Sequence, residues 1–381
     1  MRARDRFAFS WTEFSGSLGD LGLFIPLVVA MSSVGSLDLG AILVAAGAMN
    51  IATGCFFRQP IPVQPMKAIA AVAITEGLAK GELMASGIVM GAILLAFGLT
   101  GTIGAIDRWI PRPLVRGIQL GVGLKLAATG IGWVYALPFW SWDGIGIAIL
   151  TALLMLWMAA SRKPGLILIF CAGFILILLE DPKAFEGIGL AIPGFHFGWP
   201  AASDWQAGLL RGAVPQLPLT VLNSVVAVCA LSSDYFPGRG ISPKRMAVSV
   251  GLMNLVCSPF GGIPMCHGAG GLAAQYRFGA RTGGSVIMLG LVKVLVGIGF
   301  GGALLGLLGS YPNAILGPML VFAGIELARA CADAVEEPLP LSVLLVTAAA
   351  IIGSNTFIGF VVGSAFYALA TGLRQKRGPI A

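Results

Sequence analysis

Charge is what this sequence has least of. Only 11% of its 381 residues are Asp, Glu, Lys or Arg, while 57% are hydrophobic; soluble domains carry about a quarter of charged residues. Over most of its length the solvent must be lipid. Histidine is nearly absent too, with two residues, and the six cysteines (Cys55, Cys171, Cys229, Cys257, Cys266, Cys331) lie in or beside apolar runs without a CxxC pair. This excludes a zinc or Cys/His cluster and predicts reduced thiols, and no cofactor is expected. No Walker string is present, and no long polar stretch separates the apolar runs between Leu18 and Leu373. An ATP-hydrolysing or soluble catalytic domain therefore has no place to fit, and no nucleophile and base pair supports an intramembrane enzyme.

The charges that do occur report topology. The formal net charge is +7, but the Lys and Arg residues sit in short connectors and build no basic face for nucleic acid. Arg58, the Arg108/Arg112/Arg116 group, Arg162/Lys163, Arg239/Lys244/Arg245, Arg277/Arg281 and the tail from Arg374 to Arg377 all fall on one side if the N-terminus is inside. That pattern predicts a multi-pass protein of the cell membrane with both termini cytoplasmic. The apolar run after Met1–Phe9 contains Glu13 and Asp20 and offers no small-residue cleavage site, so it reads as a span and not as a signal peptide.

Hydropathy gives about fourteen spans in an all-α membrane domain covering residues 1–381. Self-similarity organises them. Met49-Asn50, Ile61-Pro62-Val63 and Pro111 recur as Met253-Asn254, Ile263-Pro264-Met265 and Pro312, at an offset of about 200 residues. At the same spacing Asp20 meets Asn223, and Lys125 meets Glu326. A first repeat over about 10–180, an external loop over 181–212 and a second repeat over about 213–373 are expected. Seven spans per half is odd, which makes the repeat inverted.

Two spans, the third and the tenth, look broken. Arg58-Gln59-Pro60-Ile61-Pro62-Val63-Gln64-Pro65 puts three prolines at membrane depth, and Pro259-Phe260-Gly261-Gly262-Ile263-Pro264 is its repeat partner. Proline lacks an N–H and biases the preceding residue toward extended backbone, so neither segment can continue a helix. The spacing predicts helices resuming at Met66, with Pro65 in the first turn, and near His267-Gly268. Unwound backbone in a bilayer is tolerated only inside protein or along a cavity. Two half-helices starting there aim unpaired N–H groups and positive dipole ends at one place, which suits an anion. Gln64, Met66, Lys67, His267, Gly268, Ala269 and Gly270 are the candidate ligands, with Gly271 allowing close backbone approach.

Other polar residues at membrane depth are Asp20, a candidate for proton coupling or pairing with Lys67, and Gln216 and Asn223, candidates for the anion shell. Lys125 and Glu326 are expected to snorkel or pair with each other, with Glu326 a second candidate proton acceptor. Lys293 reads as a snorkelling residue near a helix end. His196 and the cluster Asp333, Glu336, Glu337 read as loop residues.

The strings Ser17-Leu18-Gly19-Asp20-Leu21-Gly22-Leu23-Phe24-Ile25-Pro26, Pro62-Val63-Gln64-Pro65-Met66-Lys67-Ala68-Ile69-Ala70, Pro264-Met265-Cys266-His267-Gly268-Ala269-Gly270-Gly271-Leu272 and Gln275-Tyr276-Arg277-Phe278-Gly279-Ala280-Arg281 closely resemble the molybdate transporter family, a relative of the sulfate permeases and anion exchangers. The resemblance spans nearly the whole chain. It implies a seven-plus-seven inverted repeat in which spans 1–4 and 8–11 form a core that carries the substrate, spans 5–7 and 12–14 form a gate, and a homodimer assembles through the gate. It also implies substrate between the starts of spans three and ten. Sulfate permeases carry a cytosolic C-terminal domain, whereas this chain stops a few residues after Arg377, so regulation by such a domain is not expected. The expected function is secondary active transport of a tetrahedral oxyanion, molybdate or sulfate or both, coupled to protons. A nucleobase or carboxylate carrier on the same fold is the alternative.

Overall fold

The computed structural model describes residues 7–35, 37–106, 109–161, 166–185, 193, 197–331 and 338–376. His196, Arg108, Arg162, Lys163, Asp333, Glu336, Glu337 and Arg377 lie outside the described residues. The main helices are α1 (Trp11–Gly35), α2 (Leu39–Phe57), α3 (Lys67–Glu76), α4 (Lys80–Thr100), α5 (Arg112–Tyr135), α6 (Ile145–Ala160) and α7 (Leu166–Glu180), then α8 (Ala202–Tyr235), α9 (Pro243–Cys257), α10 (Ala269–Arg277), α11 (Gly283–Gly309), α12 (Asn313–Arg329), α13 (Pro338–Gly353) and α14 (Thr356–Lys376). Among the described residues six of these, α1, α2, α4, α5, α8 and α11, are long and apolar enough to cross a membrane, and α6, α7, α13 and α14 are shorter apolar helices.

Local chemistry sets the helix ends. Asp38 accepts the Ala41 N–H at 3.1 Å to cap α2, and Ser242 caps α9 through the Arg245 N–H. The carboxylate of Glu13 takes the N–H groups of Arg281 and Thr282, which satisfies the amides just ahead of α11 from a neighbouring helix. In α8, Pro215 and Pro218 lack the N–H that an α-helical ladder needs, and wider i→i+5 turns flank them over Gly208–Ala213 and Thr220–Val226. α8 also starts at Ala202, so the last part of the stretch expected as an external loop is helical.

Helix pairs pack through glycine. α2 lies against α11 with Gly40, Gly47 and Gly54 facing Gly297, Gly290 and Gly283 in antiparallel order, and α5 lies against α12 with Gly123 and Gly130 facing Gly324 and Gly317. At each of these contacts a Cβ on one glycine would overlap the backbone of the helix opposite. Lipid tails are as apolar as the side chains they replace, so close backbone approach and van der Waals packing carry the association. α4 packs on α9, while α13 packs on α5 and α14.

The two proline-bearing breaks meet. β1 (Gln64–Pro65) and β2 (Met265–Cys266) pair antiparallel, with Gln64 opposite Cys266 and Pro65 opposite Met265, and the Met66 N–H donates to the Pro264 carbonyl at 2.8 Å. Asn254 on α9 braces β2, donating to the Met265 carbonyl at 2.6 Å and accepting the Met265 N–H at 2.8 Å. Unwound backbone is thus hydrogen-bonded inside protein, as a lipid surround demands. Pro65 lies in the strand and not in the first turn of α3, because Met66 is the extended N-cap residue; α10 likewise starts at Ala269 after the extended Gly268.

Candidate functional site

From the ribbon, α3 and α10 run outward, and a cavity of about 240 Å³ lies beside their starts. Its wall includes Lys67, Gln216, Asn223, Gly268, Ala269 and Gly270, all expected from sequence, and also Gln119, Ser224, Cys266 and Glu326. Lys67 is the first residue of α3, and among the described residues its ammonium has no hydrogen-bond or ion-pair partner. An ammonium at this depth costs about 2.5–3.5 kcal/mol when uncompensated, so a lysine left open to a cavity calls for an anionic guest.

The other polar side chains divide into those that face space and those that hold the frame. Gln216 accepts the N–H groups of Ala68 at 2.8 Å and Ile69 at 3.3 Å and donates to Thr220 Oγ1 at 2.9 Å. Gln64 Nε2 donates to Asp20 Oδ1, while Gln64 Oε1 and Asp20 Oδ2 are buried without a hydrogen-bond partner. Both residues line a second cavity of about 280 Å³ that shares Leu23, Gly270 and Glu326 with the first and extends to Arg277 and Arg329. The absence of side chains at Gly268 and Gly271 makes room for Gln64: a Cβ on Gly268 would run into its Oε1, and one on Gly271 would lie 2.6 Å from its Nε2. A further cavity of about 400 Å³ on α5, α6 and α12, walled by Ile131, Met155 and Val321 among others, is apolar and has nothing to hold an ion.

Several expectations are redirected. His267 is fully buried but does not line the cavity; Nδ1 contacts the Pro62 carbonyl and Nε2 contacts Ser249 Oγ, each at 2.9 Å, so both ring nitrogens tie the break to α9. Met66 is buried and contributes its backbone to the ribbon and the helix start. Asp20 is hydrogen-bonded to Gln64 and not to Lys67. Lys293 does not snorkel: it is 4% exposed, donates to Asn50 Oδ1 at 2.9 Å and sits 3.6 Å over the Phe24 ring. Lys125 and Glu326 do not pair with each other. Lys125 binds Glu76 at 2.9 Å, and Glu326 binds Arg329 at 2.9 Å. The same Glu76 oxygen accepts from the backbone and hydroxyl of Thr356, joining the end of α3 to α5 and α14. Sequence reasoning used Asn50 only as a repeat marker and Cys266 only as a thiol and motif residue, and it passed over Glu76; the Pro215/Pro218 pair was the signal that the backbone around Gln216 is irregular.

Residues 12–126 and 208–327 match the family model described as a molybdate transporter of the MFS superfamily. Over 94% of its length the chain is 39% identical to Molybdate transporter 2 of Arabidopsis thaliana, of which it covers 87%. It is also 24% identical, over 90% of its length, to a probable sulfate transporter of Mycobacterium tuberculosis, covering 66% of that protein. Its fold matches the transmembrane domain of the cyanobacterial bicarbonate transporter BicA with a TM-score of 0.67 at 16% identity, covering 92% of this chain and 96% of that one.

Proposed function

This chain belongs to the molybdate transporter family, and on that premise we propose that it is a secondary active transporter of molybdate, and of the similar dianion sulfate, across the cell membrane. The observation that carries the reading is the pairing of β1 with β2 beside a cavity into which Lys67 and the amide-rich start of α10 both open. A tetrahedral dianion offers acceptors in every direction and binds through donors of this kind. Lys67, Asn223 and the backbone of Gly268, Ala269 and Gly270 are its ligands; His267 and Met66 shape the frame.

The chain is a single transport domain of seven plus seven spans related by an inverted repeat, with both termini cytoplasmic. Exchanging the halves turns the pair α2·α11 into α9·α4, and both pairs are in contact, which supports the repeat. α1–α4 with α8–α11 form the moving core, and α5–α7 with α12–α14 form the gate, through which two chains associate. The link from Glu76 to Lys125 and Thr356 closes core against gate on the outer side, while the second cavity runs toward Arg277 and Arg329 on the inner side. Asp20 carries the coupled proton; that it lines the second cavity with its Oδ2 unpartnered supports this role over Glu326, which is held by Arg329.

Uptake of labelled molybdate and sulfate into proteoliposomes, with and without an inward proton gradient, tests the proposal. Concentrative uptake of molybdate, driven by the gradient and competed by sulfate, is expected; no accumulation of either anion overturns it.

A further inference from the structure

Helix α3 starts beside the cavity, with Lys67 on its wall, and has no cap from its own N-cap residue. Ser, Thr, Asn or Asp normally fills that position and takes a free amide of the first turn. Here the residue is Met66, which makes no side-chain cap. The acceptor comes from another span: Gln216 Oε1 takes both the Ala68 N–H at 2.8 Å and the Ile69 N–H at 3.3 Å. Gln216 is 2% exposed, lies on the cavity wall, and is steadied through Nε2 by Thr220 at 2.9 Å. A single oxygen receiving two amides at a helix start, beside the open ammonium of Lys67, occupies the position that one oxygen of a bound oxyanion would take.

We propose that Gln216 is a displaceable stand-in for the substrate: its amide oxygen fills the α3 amide pair in the empty carrier and is replaced there by an oxygen of the arriving oxyanion. This rests on the proposal that the cavity binds an oxyanion. Two physical consequences follow from a neutral stand-in. Hydrogen bonds to a charged acceptor are about twice as strong as neutral ones, so exchange favours an anion and disfavours a neutral solute. The empty core also keeps its buried amides satisfied, which it must do to cross the bilayer interior without cargo. On displacement the side chain turns into the cavity, whose wall carries further polar groups in Asn223 and Ser224 about two turns along α8.

The test is molybdate binding to the purified full chain by calorimetry, with thermal unfolding in the same detergent, for wild type, Gln216→Leu and Gln216→Glu. Leu removes the competing oxygen at similar size, and molybdate binding is expected to tighten about threefold to tenfold. Glu plants a tethered carboxylate on the amide pair within reach of Lys67; that protein is expected to fold and to bind molybdate at least about tenfold more weakly. In proteoliposomes Gln216→Leu is expected to retain molybdate–molybdate exchange while losing net uptake, since only the empty return is impaired. Unchanged or weaker binding by folded Gln216→Leu overturns the proposal, the first marking a permanent cap and the second a direct ligand. If Gln216→Leu does not fold, Gln216→Glu decides: binding at wild-type strength overturns the stand-in role. Failure of the wild-type protein to bind molybdate counts against the proposed function and is read before either variant.

Discussion

Lys67 and Lys293 are both ammonium groups at membrane depth, and their neighbours assign them different work. Lys67 opens on the cavity with no hydrogen-bond or ion-pair partner among the described residues, whereas Lys293 is enclosed by Asn50 and Phe24. Replacing Lys67 by Gln removes a charge-assisted bond, and molybdate binding is expected to weaken about tenfold to a hundredfold with little change in thermal stability. Replacing Lys293 by Met instead leaves the buried Asn50 Oδ1 without its donor. A loss of about 1–3 kcal/mol of stability is expected, as measured by denaturant unfolding in micelles. Lys67 was legible in the sequence because three prolines precede it and force an interruption. Lys293 was misread because its partners lie on other helices, Asn50 across the α2–α11 seam and Phe24 on α1, and no local pattern reports what a neighbouring helix presents.

Both interruptions were legible at the scale of elements, since proline restricts its own backbone and that of its predecessor without help from tertiary structure. Their pairing as β1 and β2 depends on contacts about 200 residues apart and was out of reach; the brace from Asn254 reaches only 11 residues along the chain, but it needs the turn after α9 to fold back on that helix. The ribbon also explains the glycines after it. Gly268→Ala would set a Cβ against Gln64 Oε1, while Gly104→Ala meets open space. The first is expected to abolish molybdate binding while the second leaves it unchanged, with both compared by calorimetry on folded protein. Glu76 ends α3 and holds Lys125 and Thr356 at once, so it couples the carrying element to the helices beside it. Glu76→Gln removes the charge that holds Lys125, and a cysteine introduced at the exposed Ala79, with the exposed Cys55 and Cys171 replaced by Ser, is expected to react several-fold faster with a membrane-impermeant thiol reagent. An unchanged rate would show that the link does not hold the outer side shut.

For the whole molecule the useful quantity is the charge carried at the site. Lys67 and Lys293 against Asp20 give an excess of one positive charge; a dianion converts that to one negative charge, and one proton on Asp20 cancels it. Net uptake is therefore expected to rise as the outer solution is acidified, with about one proton entering per molybdate, and Asp20→Asn is expected to lose the dependence on the gradient while retaining molybdate exchange. The membrane class, the family, the two broken helices and six residues of the cavity wall could be read from composition, hydropathy and motifs; the places of Gln119 and Glu326 on that wall could not, because α5 and α12 bring them there through a glycine seam that leaves no periodic mark on the polar residues. The central claim is that the two breaks together make the oxyanion site. Its most direct test is a structure determined with molybdate, locating molybdenum by its anomalous scattering. One peak is expected in the cavity, within hydrogen-bonding reach of the molybdate oxygens from Lys67 and the backbone of Gly268–Gly270; a peak elsewhere, or none there at saturating molybdate, contradicts the account.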